Sequence, residues 1–127
     1  MSFVYFRAVL PRRYRLQNYQ EIEKVKKEGK LYQISFFGLL ILKRTLSEAE
    51  GLPTRFAFIV SKKLSKKAVQ RNRAKRLLSE AVRGLLPKVK PGFDIIFLGK
   101  KSLIGKSFSE IQVEVEKVFR KSGLLAD

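Results

Sequence analysis

Apolar residues recur at helical spacing along one stretch of this chain. Ala74, Leu77, Leu78, Ala81, Val82 and Leu85 fall at i, i+3, i+4, i+7, i+8 and i+11, the pattern of a helix with one buried face. The remaining arc, Asn72, Arg73, Lys75, Arg76, Ser79 and Arg83, is polar and largely cationic. Pro87 cannot continue a helix, so this one ends around residues 84–87.

Other periodicities fill in the rest. Asn18 is placed to cap a short helix running through Ile22, Val25 and Lys26 to Glu28, with Gly29 as its stop. Residues 30–46 form one β segment, nearly continuous in apolar residues from Phe36 to Leu42, which implies contact on both faces. Gly38 inside it marks a bend or a close approach. Residues 46–54, with Gly51 and Pro53, read as a hairpin loop to a second strand at 55–61. A third strand spans 93–98, and a last helix runs from about 109 to 121 with Ile111, Val115, Val118 and Phe119 buried. Ser107 or Ser109 caps it, with Glu110 near the positive end of its dipole. The order α-β-β-α-β-α predicts an α+β fold, a two-layer sandwich of helices on a small mixed sheet.

Charge changes the picture most. The chain has 28 Lys plus Arg against 11 Asp plus Glu, a formal net charge of +17. Self-repulsion of that size points to a polyanionic partner. Eight cations and no acid lie between Ser61 and Arg76: Lys62, Lys63, Lys66, Lys67, Arg71, Arg73, Lys75 and Arg76. With an apolar stripe to anchor it, the helix from Ala74 onward has the design of a nucleic-acid-docking element.

At 127 residues the chain fits one domain, with residues 1–9 a short flexible extension and residues 1–17 basic and loosely ordered. The apolar run at 36–42 is far short of the ~20 residues that span a bilayer. The aromatic, proline-interrupted start does not read as a signal peptide, so a cytoplasmic location is expected. Without His or Cys the chain lacks the commonest general base and any thiolate chemistry. Glu110 and Glu114 share a helix face and could form a metal pair, but a solvated face balanced by Lys117 and Lys121 is favoured. No catalytic or metal-ligating set emerges.

The run Arg71-Asn72-Arg73-Ala74-Lys75-Arg76, preceded by residues 55–63 ending Ser61-Lys62-Lys63 and followed by Asp94-Ile95-Ile96, resembles the signature of the bacterial ribonuclease P protein subunit. The resemblance covers most of the chain, from Leu10-Pro11 and Arg15-Leu16 through Gly29 to Phe119-Arg120-Lys121-Ser122. It implies a ribosomal protein S5 domain 2-like fold, with a left-handed βαβ crossover through the Arg-Asn-Arg helix where the general rule is right-handed. It also implies an accessory role. In such enzymes a catalytic RNA binds Mg2+ and cuts the 5′ leader from precursor tRNA, while the protein binds both RNAs.

By the same resemblance, Arg71, Asn72, Arg73, Lys75 and Arg76 would dock on the catalytic RNA, extended by Lys62, Lys63, Lys66 and Lys67. Guanidinium forks suit phosphate oxygens, and a helix N-terminus offers backbone N–H groups. A cleft between the first helix and the sheet would hold the single-stranded leader, with Tyr19, Ile22, Lys26, Tyr32, Phe36, Phe37 and Arg55 as its candidates. Two departures stand out. Ile22 and Lys26 occupy helix positions where the family tends to have Phe, so charge would replace some stacking. The loop Leu64-Ser65-Lys66-Lys67 is a residue longer than usual, with Ser65 where Gly is typical. The expected partners are ribonuclease P RNA and precursor tRNA, with no membrane and no small-molecule substrate. The main alternative is a ribosomal or rRNA-assembly protein; a DNA-binding module and a self-sufficient nuclease are weaker.

Overall fold

The computed structural model describes residues 10–45 and 51–126. The expected extension at 1–9 and most of the loop at 46–54, including Glu48 and Glu50, lie outside the described residues.

Helix α1 (Tyr19–Glu28) starts where its cap predicts: the Asn18 side chain accepts a hydrogen bond from the Glu21 N–H. It stops at Gly29, though not through a left-handed turn, since the glycine has φ −69°. A Cβ at Gly29 would lie 2.5 Å from the Val25 carbonyl oxygen, so the need is for close approach.

The β segment of 30–46 is two strands. Residues 34–36 turn the chain between β1 (Lys30–Gln33) and β2 (Phe37–Lys43), which pair antiparallel with Tyr32 opposite Leu39. The continuous apolar run belongs to β2 alone, whereas β1 is an exposed edge. The turn's carbonyls are held from outside the ladder, Ile34 by Lys100 Nζ at 2.6 Å and Ser35 by Ser102 Oγ at 2.6 Å. Gly38 faces the Leu31 side chain, a close approach instead of a bend.

The next strand, β3 (Arg55–Ile59), does not pair with β2, so the expected hairpin is corrected. Strand β4 (Phe93–Gly99) lies between them, antiparallel to β2 and parallel to β3, giving the order β1-β2-β4-β3. The physical reason is burial: β4 carries Ile95, Ile96 and Phe97, all inaccessible to solvent, and the centre of the sheet is the one place that covers both its faces. The parallel pair is joined through α2 (Ala68–Leu85), and α3 (Phe108–Lys121) follows β4. The mixed sheet and α+β class stand, with order α-β-β-β-α-β-α.

Strand alternation divides the core. Phe37, Leu39, Phe56, Ile95 and Phe97 face α2 and α3, where Phe97 lies 5.2 Å from Phe37 and 6.1 Å from Phe119 between ring centroids. Each such side chain contributes about 1.5–3 kcal/mol by burial. Leu40, Ala57 and Ile96 face the other way, covered in part by Val25 of α1 and by Leu16. Residues 10–16 are therefore not loose: Leu10 and Leu16 are buried, and the Leu16 N–H donates to the Phe56 carbonyl at 2.8 Å on the edge of β3.

Candidate nucleic-acid interface

Helix α2 buries Ala74, Leu77, Leu78, Ala81, Val82 and Leu85 against the core, as its spacing requires, and turns its cationic arc outward. Lys62, Lys63, Lys66, Lys67 and Arg73 are exposed, while Arg71, Asn72, Lys75 and Arg76 are half-buried. Buried Ser79 donates to the Lys75 carbonyl at 2.8 Å, which keeps its hydroxyl satisfied inside the helix.

The N-terminus of α2 differs from those of its neighbours. Lys67 occupies the cap position with no side-chain hydrogen bond, and the first turn contains no acid. By contrast α3 begins with a reciprocal Ser107–Glu110 capping box. Hydrogen bonds from Ser107, first through its backbone N–H and then through its side chain, hold the Glu110 carboxyl below its usual range. The positive pole of α2 is thus surrounded by lysines.

The loop before α2 has a defined shape. Arg71 donates to the Ser65 carbonyl at 2.8 Å, and the Ser65 hydroxyl accepts from the Lys67 N–H at 3.3 Å. Arg73 reaches the Lys106 carbonyl at 3.2 Å, and Lys106 Nζ lies 4.8 Å from the centre of the Phe36 ring, so the basic surface continues to the β4–α3 connection.

The expected cleft candidates separate onto two sides of the sheet. On the α1 side, Tyr19 is 75% exposed, Ile22 is half-buried, and Lys26 is exposed with Glu23 at 3.4 Å. A cavity of about 280 Å³ opens there, lined by Arg15, Leu16, Ile22, Ala57, Ile59 and Ser79 among others. Tyr32, Phe36 and Phe37 are not part of it. Phe37 is fully buried toward α2 and α3, and Tyr32 shares that side because it opposes Leu39 across the ladder. Phe36 packs against the same core. Alternation gives the cleft-facing position on β2 to Leu40.

Arg55 is on the α1 side but is engaged with protein. It donates to both carboxylate oxygens of Asp94 at 3.0 and 2.9 Å and to those of Glu21 at 3.2 and 2.7 Å. Burial opposes its charge, but the hydrogen bonds to Asp94 and Glu21 outweigh burial and hold its pKa above the ordinary arginine value. Asp94, an isolated acid in the sequence, also accepts from Arg44 at 2.6 Å, and Arg44 donates to the carbonyls of Phe93, Leu52 and Pro53. This network was not legible from spacing, because its ion-paired residues lie 34 to 50 residues apart. The apparent acid pair on α3 is likewise engaged: Glu110 in its cap and Glu114 with Lys117 at 3.5 Å.

With a basic helix beside a half-apolar cleft in place, comparison with known proteins is informative. The family model described as Ribonuclease P matches residues 10–123. The chain belongs to the ribonuclease P protein family. It is 33% identical over 116 residues to the ribonuclease P protein component of Synechocystis, covering 91% of this chain and 90% of that protein. It is 37% identical over 112 residues to that of Symbiobacterium thermophilum, covering 88% and 93%. The fold of the Staphylococcus aureus RNase P protein matches with a TM-score of 0.80 at 23% identity, over 96% of this chain and 98% of that one. The Thermotoga maritima RNase P protein matches with a TM-score of 0.71 at 26% identity, over 84% and 96%. Among the described residues no helix is long and apolar enough to cross a membrane.

Proposed function

We propose that this chain is the accessory protein subunit of a bacterial, cytoplasmic ribonuclease P, which binds the catalytic RNA and the 5′ leader of precursor tRNA and assists endonucleolytic removal of that leader. The observation that carries the proposal is α2: a cationic arc without intervening acid from Lys62 to Arg76, joined to an N-terminus free of side-chain caps. Arg71, Asn72, Arg73, Lys75 and Arg76 would meet phosphates of the catalytic RNA, with Lys62, Lys63, Lys66 and Lys67 as flanking point charges. Neutralising phosphates releases counterions and lowers the repulsion between two RNAs.

The leader would lie along the α1 side of the sheet, where Ile22 offers apolar contact, Lys26 a phosphate contact and Tyr19 an exposed ring for stacking. Mg2+ would supply the charge stabilisation for phosphodiester cleavage, and among the described residues no cluster of three or more acids is placed to hold it. Glu110 and Glu114 have partners of their own, and Asp94 is enclosed by two guanidinium groups. On this reading the ion would be bound mainly by the RNA.

The test is precursor-tRNA cleavage at low Mg2+ by a bacterial ribonuclease P RNA, with and without this protein, together with Arg73→Ala and a salt titration. Rescue by the protein, no cleavage by the protein alone, and a salt slope reduced by about one in Arg73→Ala are expected. RNA binding without any stimulation of cleavage would instead indicate an rRNA-binding protein.

A further inference from the structure

The Glu21–Arg55–Asp94–Arg44 chain of contacts runs from the outer helix to the sheet interior and has no counterpart in the RNA-docking surface. Its members come from α1, the start of β3, the start of β4 and the residue just after β2. At the inner end Arg44 and Asp94 have side chains only 4% and 7% exposed, and their geometry is held by carbonyls as well as by each other. Arg55 is thereby fixed on the sheet, with its second pair of donors turned toward α1.

Helix α1 also rests on the sheet through Val25 and the half-buried Ile22. A ten-residue helix is marginal by itself. Val25 is its one buried residue, in the C-terminal half, and Gly29 ties that end to β1. In the N-terminal half, Tyr19 is exposed and the half-buried Ile22 packs on the apolar cluster beneath α1, and the two-pronged contact between Glu21 and Arg55 adds a directional polar link to the sheet. Ile22, one residue after Glu21, and Gln17, just before the helix, line the cleft.

We infer that Glu21 and Arg55 are positioning residues: the pair sets where α1 stands over the sheet, and so the width of the leader cleft, without touching the strand bound there. This rests on the reading of that cleft as the leader site. The geometry makes a prediction of sign. If Arg55 contacts RNA directly, Glu21 competes with phosphate, and removing its charge should strengthen leader binding. If the pair positions α1, removing that charge should weaken it.

The experiment uses the complex of this protein with a bacterial ribonuclease P RNA and compares precursor tRNAs with a long and a one-nucleotide leader. The ratio of the two dissociation constants is the gain from the leader. Glu21→Gln should lower that gain by roughly threefold, as for a partly exposed ion pair. Arg55→Lys, which keeps the charge but loses the fork, should do the same. Affinity for the catalytic RNA, carried by α2, should not change. A larger gain in Glu21→Gln, or an unchanged one, overturns the inference. So does a parallel loss of both affinities, which marks a general folding fault. A wild-type complex with no gain at all removes the leader-cleft reading itself, and that arm is read before any variant.

Discussion

Arg55 and Asp94 are register partners across the parallel β3–β4 pair, and their side chains meet head-on, Nε and one terminal nitrogen of the guanidinium each donating to a different carboxylate oxygen. Arg44 completes a site in which one carboxylate serves two guanidinium groups. Removing the acid strands two partly desolvated cations next to one another. Asp94→Asn should therefore destabilise the fold by about 3–5 kcal/mol, measured by urea unfolding in sulfate buffer. A loss below ~1 kcal/mol would mean that solvent or Glu21 compensates.

The Lys26 side chain is nearly half exposed beside Glu23 on the α1 side of the sheet. Lys26→Ala should weaken binding of long-leader precursor tRNA and lower the single-strand salt slope by about 0.7, the value of one phosphate contact. An unchanged leader dependence, measured by titration at several salt concentrations, would reject a role for this residue.

The Ser107–Glu110 box gives α3 a pH dependence. The Glu110 carboxyl is held below its usual range by Ser107, so its folded pKa is lower than its unfolded one. The resulting stability is present above the unfolded pKa and is lost as pH falls through the folded pKa, on the acid side of the ordinary glutamate value. Ser107→Ala should lower stability by about 1 kcal/mol at neutral pH and flatten this acid limb, as followed by unfolding at a series of pH values.

Excess charge should also make folding depend on anions. With a net charge of +17, ions that bind the folded surface stabilise it by mass action. Sulfate or phosphate should raise the melting temperature progressively, and Lys66→Ala with Lys67→Ala should reduce that response. A melt indifferent to both anions would contradict this.

Much was legible in residue order because it depends on neighbours in sequence. The buried stripe of α2, the Asn18 cap and the density of cations before Arg76 are local patterns, and the family motif is a string of such patterns. The turn at 34–36 was hidden because one apolar run dominated a segment whose first four residues form an exposed edge.

Tertiary structure decided what distance in sequence conceals. Insertion of β4 between β2 and β3 follows from which strand most needs cover on both faces, a comparison no single strand can make. That placement set the parity of each strand, turning Phe37 and Tyr32 into the core side and leaving Leu40, Ala57 and Ile59 to the cleft. It also brought Asp94 beside Arg55 and Arg44, so that an arginine expected to meet RNA is held by carboxylates instead. Sequence alone determined the charge and the helix that presents it; packing determined which side chains are left free to use it, because alternation and register are properties of the whole sheet.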